Sequence, residues 1–320
     1  MSSARPILIT GANGFAGSHL LDQLRGGDAP LVAWSGPGRQ PGPEHLAGDI
    51  RGIDVDLRDG PAVEAALADT RPARIFHLGG IAHVAESWQQ TTLTLDVNAR
   101  GTHHLLRAAR RLGLDARVVV PSSALVYRRS TGPLAETDPI RPATPYGLAK
   151  LAQEMVALAG HAHDGLSVVV ARPFNHIGPR QDAAFVVSGF ARQIARAEAG
   201  LDEPVIHVGN LDARRDVTDV RDTVRAYRLL ADGGEPGRVY NVCRGSAASI
   251  RELLDRLVAR ARVAVEVRVE AARLRPSDNP VVLGDPGRIR RALGWQPTIP
   301  LDRSLEDVLD DWRAQTAAAS

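Results

Sequence analysis

The amino-acid sequence predicts an α/β protein, in which a doubly wound parallel sheet is followed by a smaller C-terminal α/β lobe. Over the first half of the 320 residues, short apolar runs alternate with longer helix-like stretches rich in Ala, Leu and Arg. Most of these runs are apolar on both faces, which is typical of strands buried in a parallel sheet. After Arg172 the pattern becomes mixed, which indicates a second lobe at the carboxyl edge of the sheet.

The elements follow one another in a βαβα order. Strands are predicted at residues 6–10, 30–35, 74–78, 117–121, 167–172 and 239–242, and helices at 17–25, 61–69, 98–111 and 146–159. Further on, loops with Pro and Gly surround residues 185–199, and a helix–strand pair is predicted at 250–269. This order predicts two units, namely residues 1–172 with a return segment near 215–247, and residues 173–214 with 248–320.

Composition argues against several classes of protein. The net charge of +2 comes from 39 basic and 37 acidic residues, and no basic run is interleaved with aromatic residues, so nucleic acid is not an expected partner. No apolar run approaches the roughly 18 residues of a membrane span. The single cysteine, Cys243, rules out internal disulfides, and no residue spacing resembles a metal site. A reducing, cytoplasmic location is therefore expected.

A glycine-rich turn follows the first predicted strand. Gly11, Gly14 and Gly17 have G-x-x-G-x-x-G spacing between Thr10 and the start of a helix. In such a turn the first glycine permits a tight bend, the second lets the backbone approach a pyrophosphate, and the third lets the helix pack on the strand. The free N–H groups of the helix N-terminus then bind phosphate. The turn predicts a dinucleotide-binding, Rossmann-type sheet.

The residues after the second strand bear on which dinucleotide binds. NAD-binding folds commonly hold the ribose hydroxyls with an acid there, but the first acid after that strand is Glu44. Ser35 and Arg39 lie where the 2′-phosphate of NADP would sit, which favours NADP(H), with NAD(H) as the alternative. After a third short strand, Asp56 is a candidate for binding adenine, and a surface turn is the other interpretation of this segment.

Tyr146 and Lys150 lie four residues apart at the start of a predicted helix and therefore share one helix face. Lys150 is the single lysine beside 38 arginines, which indicates a position where a guanidinium does not serve. An ammonium beside the phenol, together with the positive charge of a nicotinamide, is expected to lower the pKa of Tyr146. Ser123, at the end of a strand, is placed to bind the same substrate oxygen. These side chains predict interconversion of carbonyl and alcohol.

Over nearly its whole length, the chain resembles the extended short-chain dehydrogenase/reductases that act on nucleotide sugars. The resemblance rests on the glycine turn at 10–17, the His-Leu-Gly-Gly segment at 77–80, the Ser, Tyr and Lys set, and the Arg-Pro-Phe-Asn-His segment at 172–176. Within the family, the branch of GDP-mannose 4,6-dehydratase and GDP-4-keto-6-deoxymannose reductase is the most similar, through residues 174–176, 209–216, 275–278 and 283–286. The resemblance implies a GDP-sugar substrate and a homodimer formed by the helices that begin at 98 and 146.

The residue patterns and the resemblance together define a predicted site. The catalytic residues are Ser123, Tyr146 and Lys150. The cofactor is expected to contact Tyr146, Lys150, Gly11, Asn13, Gly14, Phe15, Ala16, Gly17, Ser35, Arg39, Asp56, Leu57, Leu78, Gly79, Gly80, Pro173 and His176. The substrate is expected to contact Ser123, Tyr146, His83, Asn175, Ser188, Arg215, Arg275 and Asp278. The guanidinium groups of the two arginines suit the oxygens of a diphosphate.

The residue two positions after Ser123 separates two reactions. The 4,6-dehydratases of this family carry a carboxylate there, usually Glu, whereas this chain has Leu125, which transfers no proton. A reductase needs only a hydride and the proton of Tyr146. The prediction is therefore NADPH-dependent reduction of GDP-4-dehydro-6-deoxy-D-mannose to GDP-D-rhamnose or its C4 epimer. The alternatives are a dehydratase with a displaced acid such as Glu136 or Asp138, a C4-epimerase, and a non-enzymatic NADP sensor.

Overall fold

A computed structural model describes residues 4–37, 50–271 and 279–319 of the chain. Its strands are β1 (Ile7–Thr10), β2 (Leu31–Ser35), β3 (Ile50–Asp54), β4 (Arg74–His77), β5 (Arg117–Pro121), β6 (Ser167–Pro173), β7 (Asn175–Ile177), β8 (Val205–Val208), β9 (Arg214–Asp219), β10 (Val239–Val242), β11 (Ala247–Ser249), β12 (Glu266–Val269) and β13 (Val281–Val282). Its helices are α1 (Phe15–Leu24), α2 (Gly60–Thr70), α3 (Val84–Gln89), α4 (Thr91–Leu95), α5 (Gly101–Arg111), α6 (Pro145–Asp164), α7 (Val186–Glu198), α8 (Val220–Gly233), α9 (Ile250–Val258), α10 (Gly287–Leu293) and α11 (Leu301–Ala319).

Seven parallel strands form the central sheet, in the order β10-β6-β5-β4-β1-β2-β3. The predicted doubly wound sheet is confirmed, and each of the six predicted strands lies within a residue of its expected bounds. The direction of strand order reverses between β1 and β4, and this is where ligands bind in such sheets. The glycine-rich turn after β1 therefore lies at the crevice that the topology creates.

Two apolar layers cover the central sheet, one on each face. Along β1, Leu8 belongs to one layer and Ile7 and Ile9 to the other, because successive side chains point to opposite faces. The helices α1 and α8 complete the layer of Ile7 and Ile9, and α2, α5 and α6 complete the layer of Leu8. Burial on both sides explains why these strands read as continuous apolar runs.

The smaller lobe is built from short strands and three helices. In it β9 pairs with β7, β11 and β13, while β8 pairs with β12. The helices α7, α9 and α11 enclose an apolar core that includes Ile194, Leu254 and Leu309. Between these elements the chain returns to the central sheet with α8 and β10. The exact division into two domains stays a prediction, and α10, inside segment 248–320, packs against β10 of the central sheet.

The elements around the crevice are held by local signals in the sequence. Thr144 caps α6 by accepting the N–H of Gly147 at 3.0 Å, and Pro145 occupies the first helical turn, so the helix begins one residue before Tyr146. Between α4 and α5, residues 96–100 form a π-helical turn, where the sequence predicted the regular start of a helix. In the described parts of the chain, no helix combines the length and the apolar character that crossing a membrane requires.

Candidate active site

The glycine-rich turn has the geometry of a phosphate cradle. Gly11 has a φ of +63°, and a Cβ at this residue would lie 2.7 Å from the backbone of Gly79. A Cβ at Gly17 would lie 2.2 Å from the carbonyl oxygen of Gly11, so only glycine fits at either position. Gly14 is the N-cap of α1 and provides no side-chain cap, which leaves N–H groups of the first turn for a ligand.

Several residues predicted to bind the cofactor surround this turn. The ring of Phe15 stacks on that of His176, with the ring centres 5.6 Å apart and the planes 5° from parallel. Leu57 and Gly79 are in close contact, since a Cβ on Gly79 would lie 2.9 Å from Leu57 Cδ1. Pro173 ends β6 at the same carboxyl edge of the sheet. The Phe15 ring thus stacks on His176 and Leu57 lies against Gly79, while the contacts of these residues and of Pro173 with a cofactor stay predictions.

The end of β2 carries an unsatisfied polar group. The Ser35 hydroxyl is buried and has no hydrogen-bond partner among the described residues. A buried hydroxyl without a partner is costly unless a ligand satisfies it, and the ribose or the 2′-phosphate of a dinucleotide would do so. The residues present therefore fit a dinucleotide. Arg39, the other residue predicted to bind the 2′-phosphate, lies outside the described residues.

Asp56 forms an ion pair in a surface turn. Its carboxylate accepts from Arg58 Nε at 3.0 Å and from Arg58 Nη2 at 2.6 Å. These contacts lower the pKa of Asp56. The carboxylate thus already has a partner in the protein, which agrees with the surface-turn interpretation, and the expected contact with adenine stays a prediction.

The three predicted catalytic side chains come together at the carboxyl edge of the sheet. Ser123 follows β5, and its Oγ accepts the N–H of Leu125 at 3.1 Å, which orients the hydroxyl side chain. The Tyr146 phenol on α6 lies close enough to Ser123 for this hydroxyl to lower its pKa. Lys150, one turn further along α6, donates from Nζ to Pro121 O at 2.9 Å and to Gln153 Oε1 at 2.8 Å. A hydroxyl, a phenol and an ammonium therefore share one small region.

Burial shifts the pKa values of Tyr146 and Lys150 in opposite directions. Both residues are partly exposed to solvent. Burial raises the pKa of Tyr146 to about 12, with the hydrogen bond from Ser123 acting in the opposite direction. Burial also lowers the pKa of Lys150 to about 8. In the protein alone desolvation of the phenolate dominates, and the expected lowering by Lys150 together with a bound nicotinamide stays a prediction.

The acids proposed for a displaced dehydratase mechanism have other partners. Glu136 is buried, and its Oε1 accepts the N–H of Asn241 in the edge strand β10 at 2.8 Å. Its second oxygen lies 3.5 Å from Arg288 Nε. Asp138 accepts the N–H of Ala135 at 2.8 Å within a turn. Both carboxylates thus already have partners in the protein.

Apart from Ser123, Tyr146 and Arg215, the predicted substrate residues divide into three groups. Asn175 is exposed on β7, and His83 packs its ring against Phe185 with the ring centres 4.8 Å apart. Ser188 lies inside the smaller lobe, where it donates to Gln181 O at 2.5 Å and accepts from Trp312 Nε1 at 2.8 Å. This geometry gives no support to a ligand contact at Ser188, because its hydroxyl is buried and already bonded. Arg275 and Asp278 lie outside the described residues.

Arg215 has the properties of a cation that binds an anionic ligand. On β9 its Nη1 donates to the carbonyl oxygens of Arg214 at 2.8 Å and Pro280 at 3.4 Å. Burial lowers its pKa, and among the described residues no carboxylate forms an ion pair with it. A partly buried guanidinium without a counter-charge is costly, and a diphosphate would supply that charge. Its predicted contact with substrate stays a prediction.

Sequence reasoning missed two groups of buried polar residues. Asp216, next to Arg215, accepts the N–H groups of Arg244 at 2.7 Å, Gly245 at 2.8 Å and Gly284 at 3.3 Å. Burial nevertheless raises the pKa of Asp216 to about 6. The second group consists of Gln153, Thr102 and His77, which are hydrogen-bonded in sequence from Lys150. Asp216 falls in a segment that the resemblance singled out, but no local spacing reveals the partners of either group.

The chain combines a Rossmann-type sheet, the glycine-rich turn and the Ser, Tyr and Lys set. Together these features define the class of protein as an extended short-chain dehydrogenase/reductase. Residues 8–308 match the family described as GDP-mannose 4,6 dehydratase, and the chain belongs to that family. The resemblance drawn from the sequence is therefore confirmed.

The similar proteins include both a reductase and dehydratases. The chain is 35% identical to GDP-6-deoxy-D-mannose reductase of Pseudomonas aeruginosa over 312 residues, which cover 97% of each protein. It is 29% identical to a GDP-mannose 4,6-dehydratase of Vibrio cholerae, over 83% of this chain and 81% of that one. Among solved structures, RMD from Pseudomonas aeruginosa complexed with NADPH is similar with a TM-score of 0.85 and 34% identity, over 98% of this chain and 100% of that chain.

Proposed function

We propose that this protein uses NADPH to reduce the 4-keto group of a GDP-linked 4-keto-6-deoxy sugar. The substrate is GDP-4-dehydro-6-deoxy-D-mannose, and the product is GDP-D-rhamnose or its C4 epimer. The observation that carries this proposal is the set of Ser123, Tyr146 and Lys150 beside Leu125, which supplies a proton donor but no base for elimination. The similarity to a reductase of the same family supports it.

The crevice at the glycine-rich turn is the proposed cofactor site. Bound NADPH supplies a hydride to the carbonyl carbon. The N–H groups at the start of α1 bind the pyrophosphate, and Ser35 with Arg39 binds the 2′-phosphate. The relative whose structure contains NADPH supports this choice, with NAD(H) as the alternative.

Tyr146 is the proposed proton donor. Its raised pKa keeps the phenol protonated at neutral pH, which is the form that reduction of a carbonyl consumes. The Ser123 hydroxyl, which acts on the pKa of the same phenol, orients the substrate oxygen and stabilises the phenolate that forms. The ammonium of Lys150 lies on the same helix face and adds a favourable positive charge. Arg215 binds the diphosphate of the substrate in this scheme.

The direct test offers the purified protein two substrates. With NADPH and GDP-4-dehydro-6-deoxy-D-mannose, we expect stoichiometric oxidation of NADPH, followed by absorbance, and a 6-deoxyhexose product whose C4 configuration NMR identifies. With NADP⁺ and GDP-mannose, we expect no 4-keto product. Formation of that product from GDP-mannose would instead establish a dehydratase. NADPH binding without turnover of any 4-keto substrate would establish a sensor, and tightly bound NAD that persists through turnover would establish an epimerase.

The choice of cofactor has its own test. Arg39→Ala is expected to raise the KM for NADPH and to leave the KM for NADH nearly unchanged, since only NADPH carries the 2′-phosphate. Arg51→Ala is the matched control, because this exposed arginine on β3 pairs with Asp69. An equal effect of Arg39→Ala on both cofactors would contradict its proposed contact.

We also propose that the protein is a homodimer formed through α6 and the helix that begins at residue 98 and includes α5. Leu148 and Met155 lie two turns apart on α6 and are 48% and 63% exposed, and Trp88 on α3 is 59% exposed. Large apolar side chains in this arrangement suit a second copy of the same surface. Light scattering on the wild type and on Met155→Glu is expected to show a dimer and a monomer. A reducing, cytoplasmic location also stays a prediction, in keeping with the buried free thiol of Cys243.

A further inference from the structure

A chain of buried polar side chains leads away from Lys150 towards the glycine-rich turn. Gln153 accepts from Lys150 Nζ at 2.8 Å through Oε1, and its Nε2 donates to Thr102 Oγ1 at 3.0 Å. The same Thr102 oxygen lies 2.9 Å from His77 Nε2. Gln153, Thr102 and His77 are at most 1% exposed, so water does not compete for these contacts.

The chain continues from His77 to the turn itself. His77 Nδ1 lies 2.9 Å from Thr10 Oγ1, and the N–H of Gly79 donates to that oxygen at 2.9 Å. Gly79 in turn lies against Gly11, where an added Cβ would be 2.7 Å from its backbone. Hydrogen bonds therefore connect the ammonium of Lys150 with Gly79, whose backbone packs against the first glycine of the turn.

The direction of every hydrogen bond in this chain is determined by one carbonyl group. Thr102 Oγ1 lies 2.6 Å from Asn98 O, and because a carbonyl only accepts, the Thr102 hydroxyl donates its proton there. Thr102 Oγ1 must then accept from both Gln153 and His77. His77 consequently carries its proton on Nε2, and its Nδ1 accepts from the Thr10 hydroxyl. Burial, helped by the charge of Lys150, lowers the pKa of His77 to about 3, which keeps this tautomer neutral.

The same logic determines the orientation of Gln153. Only its amide nitrogen bonds productively to Thr102, which has no proton left to donate, so Oε1 must face the ammonium of Lys150. The other titratable groups around Lys150 carry no compensating charge. His77 is neutral, Tyr146 is a protonated phenol, and Glu154 on the same helix pairs with Arg172. Lys150 is thus held by two neutral acceptors, Gln153 and the Pro121 carbonyl.

We infer that Gln153 is a positioning residue, which holds the Lys150 ammonium at the end of a hydrogen-bond chain of fixed direction anchored beside the glycine-rich turn. It keeps the ammonium in one position relative to the cofactor crevice and supplies a neutral acceptor, not a carboxylate. The inference depends on the proposed function only in taking Lys150 as a catalytic residue.

The sequence allows a test that requires no substrate. Since Lys150 is the chain's single lysine, protein labelled with [ε-¹³C]lysine gives one lysine NMR signal, whose pH titration reports this ammonium alone. Gln153→Glu places a negative charge beside Lys150 and is expected to raise its pKa by about one unit or more. Gln153→Leu removes the acceptor and is expected to lower the pKa by about one unit. Thr102→Val removes the acceptor of the Gln153 amide N–H, so this amide is no longer held in one orientation. We expect the pKa of Lys150 to fall by less than in Gln153→Leu.

The matched control is Gln193→Glu, which makes the same change of charge on α7 of the smaller lobe, where Gln193 bonds to His207. We expect this variant to leave the Lys150 titration unchanged. Shifts in opposite directions for Gln153→Glu and Gln153→Leu support the positioning role. If Gln153→Leu fails to fold, the rise in Gln153→Glu and the fall in Thr102→Val decide in its place. A Lys150 signal that titrates as in wild type in Gln153→Glu would overturn the inference, whether or not the protein reduces a 4-keto sugar.

Discussion

The catalytic region of the central sheet and the ligand-facing region of the smaller lobe satisfy their polar groups differently. At the catalytic region Lys150 has two acceptors within 2.9 Å, and both nitrogens of His77 are bonded. In the smaller lobe Arg215 bonds, among the described residues, only to carbonyl oxygens, and Asn175 is exposed. The first region is organised before any ligand arrives, as chemistry at a carbonyl requires. The second contains a guanidinium that has no carboxylate partner within the described ranges, and such a group suits an anionic ligand.

The difference follows from the elements that carry each region. Ser123, Tyr146 and Lys150 lie at the end of a central strand and on a helix of 20 residues, both packed against the main core. Asn175 and Arg215 lie on β7 and β9, which have three and six residues and belong to a small sheet. We therefore expect substitutions at the catalytic region to act mainly on kcat, and those in the lobe mainly on KM.

The largest effect is expected for Lys150→Arg. The guanidinium keeps the charge but does not fit between the acceptors Pro121 O and Gln153 Oε1 in the same geometry. We expect kcat to fall by about 100-fold or more, with a smaller change in the KM for the sugar nucleotide. Arg107→Lys, at an exposed position on α5, is the control and should be neutral. Near-normal turnover in Lys150→Arg would show that Lys150 has no catalytic role. It would also contradict the expected difference between the two regions.

Arg215→Ala probes the lobe in the same assay. Loss of a charge-assisted contact to the diphosphate should raise the KM for the sugar nucleotide by about 10-fold to 100-fold, with kcat changed much less. Arg214→Ala is the matched control, since this neighbouring arginine is exposed and bonds to Ala247 O. A fall in kcat at unchanged KM would show that Arg215 does not act through substrate binding.

His77→Gln tests the buried chain through its pH dependence. The folded-state pKa of His77, about 3, lies below the ordinary value of 6.5, so its contribution to stability is complete above pH 6.5 and is lost as pH falls towards 3. By pH 5 the loss should reach about 2 kcal/mol of unfolding free energy. Urea unfolding at pH 7.5 and pH 5 should therefore show a smaller acid-induced loss in the variant than in wild type. Equal losses would mean that His77 is not buried as a neutral group.

Asp216→Asn should show a smaller effect of opposite sign. The folded-state pKa of Asp216, about 6, lies above the ordinary 3.8, so its contribution is complete below pH 3.8 and is lost as pH rises through 6. At pH 5 wild type therefore keeps about 1 kcal/mol of stability that it lacks at pH 7.5. The destabilisation caused by Asp216→Asn should be greater at pH 5 than at pH 7.5. The reverse order would mean that the three N–H groups around the carboxylate outweigh its burial.

Sequence reasoning succeeded where the signal is local. The apolar strands, the glycine-rich turn and the four-residue spacing of Tyr146 and Lys150 each depend on residues close together in the chain. Periodicity and backbone requirements therefore determine them. The predictions for Ser188 and for the pKa of Tyr146 depended on the surroundings of the side chain. The structure surrounds Ser188 with the core of the smaller lobe and Tyr146 with desolvating neighbours.

The sequence by itself thus determined the α/β class, the dinucleotide turn, the Ser, Tyr and Lys set and the family. Only the tertiary structure decided that Thr10, His77 and Thr102 meet, although 67 and 25 residues separate the successive pairs. It also decided that Gln153 faces Lys150, and that Glu136 accepts a hydrogen bond from Asn241 in the edge strand β10. The physical reason is that burial and long-range hydrogen bonds depend on which strands become neighbours in the sheet, and no pattern along a single segment contains that information.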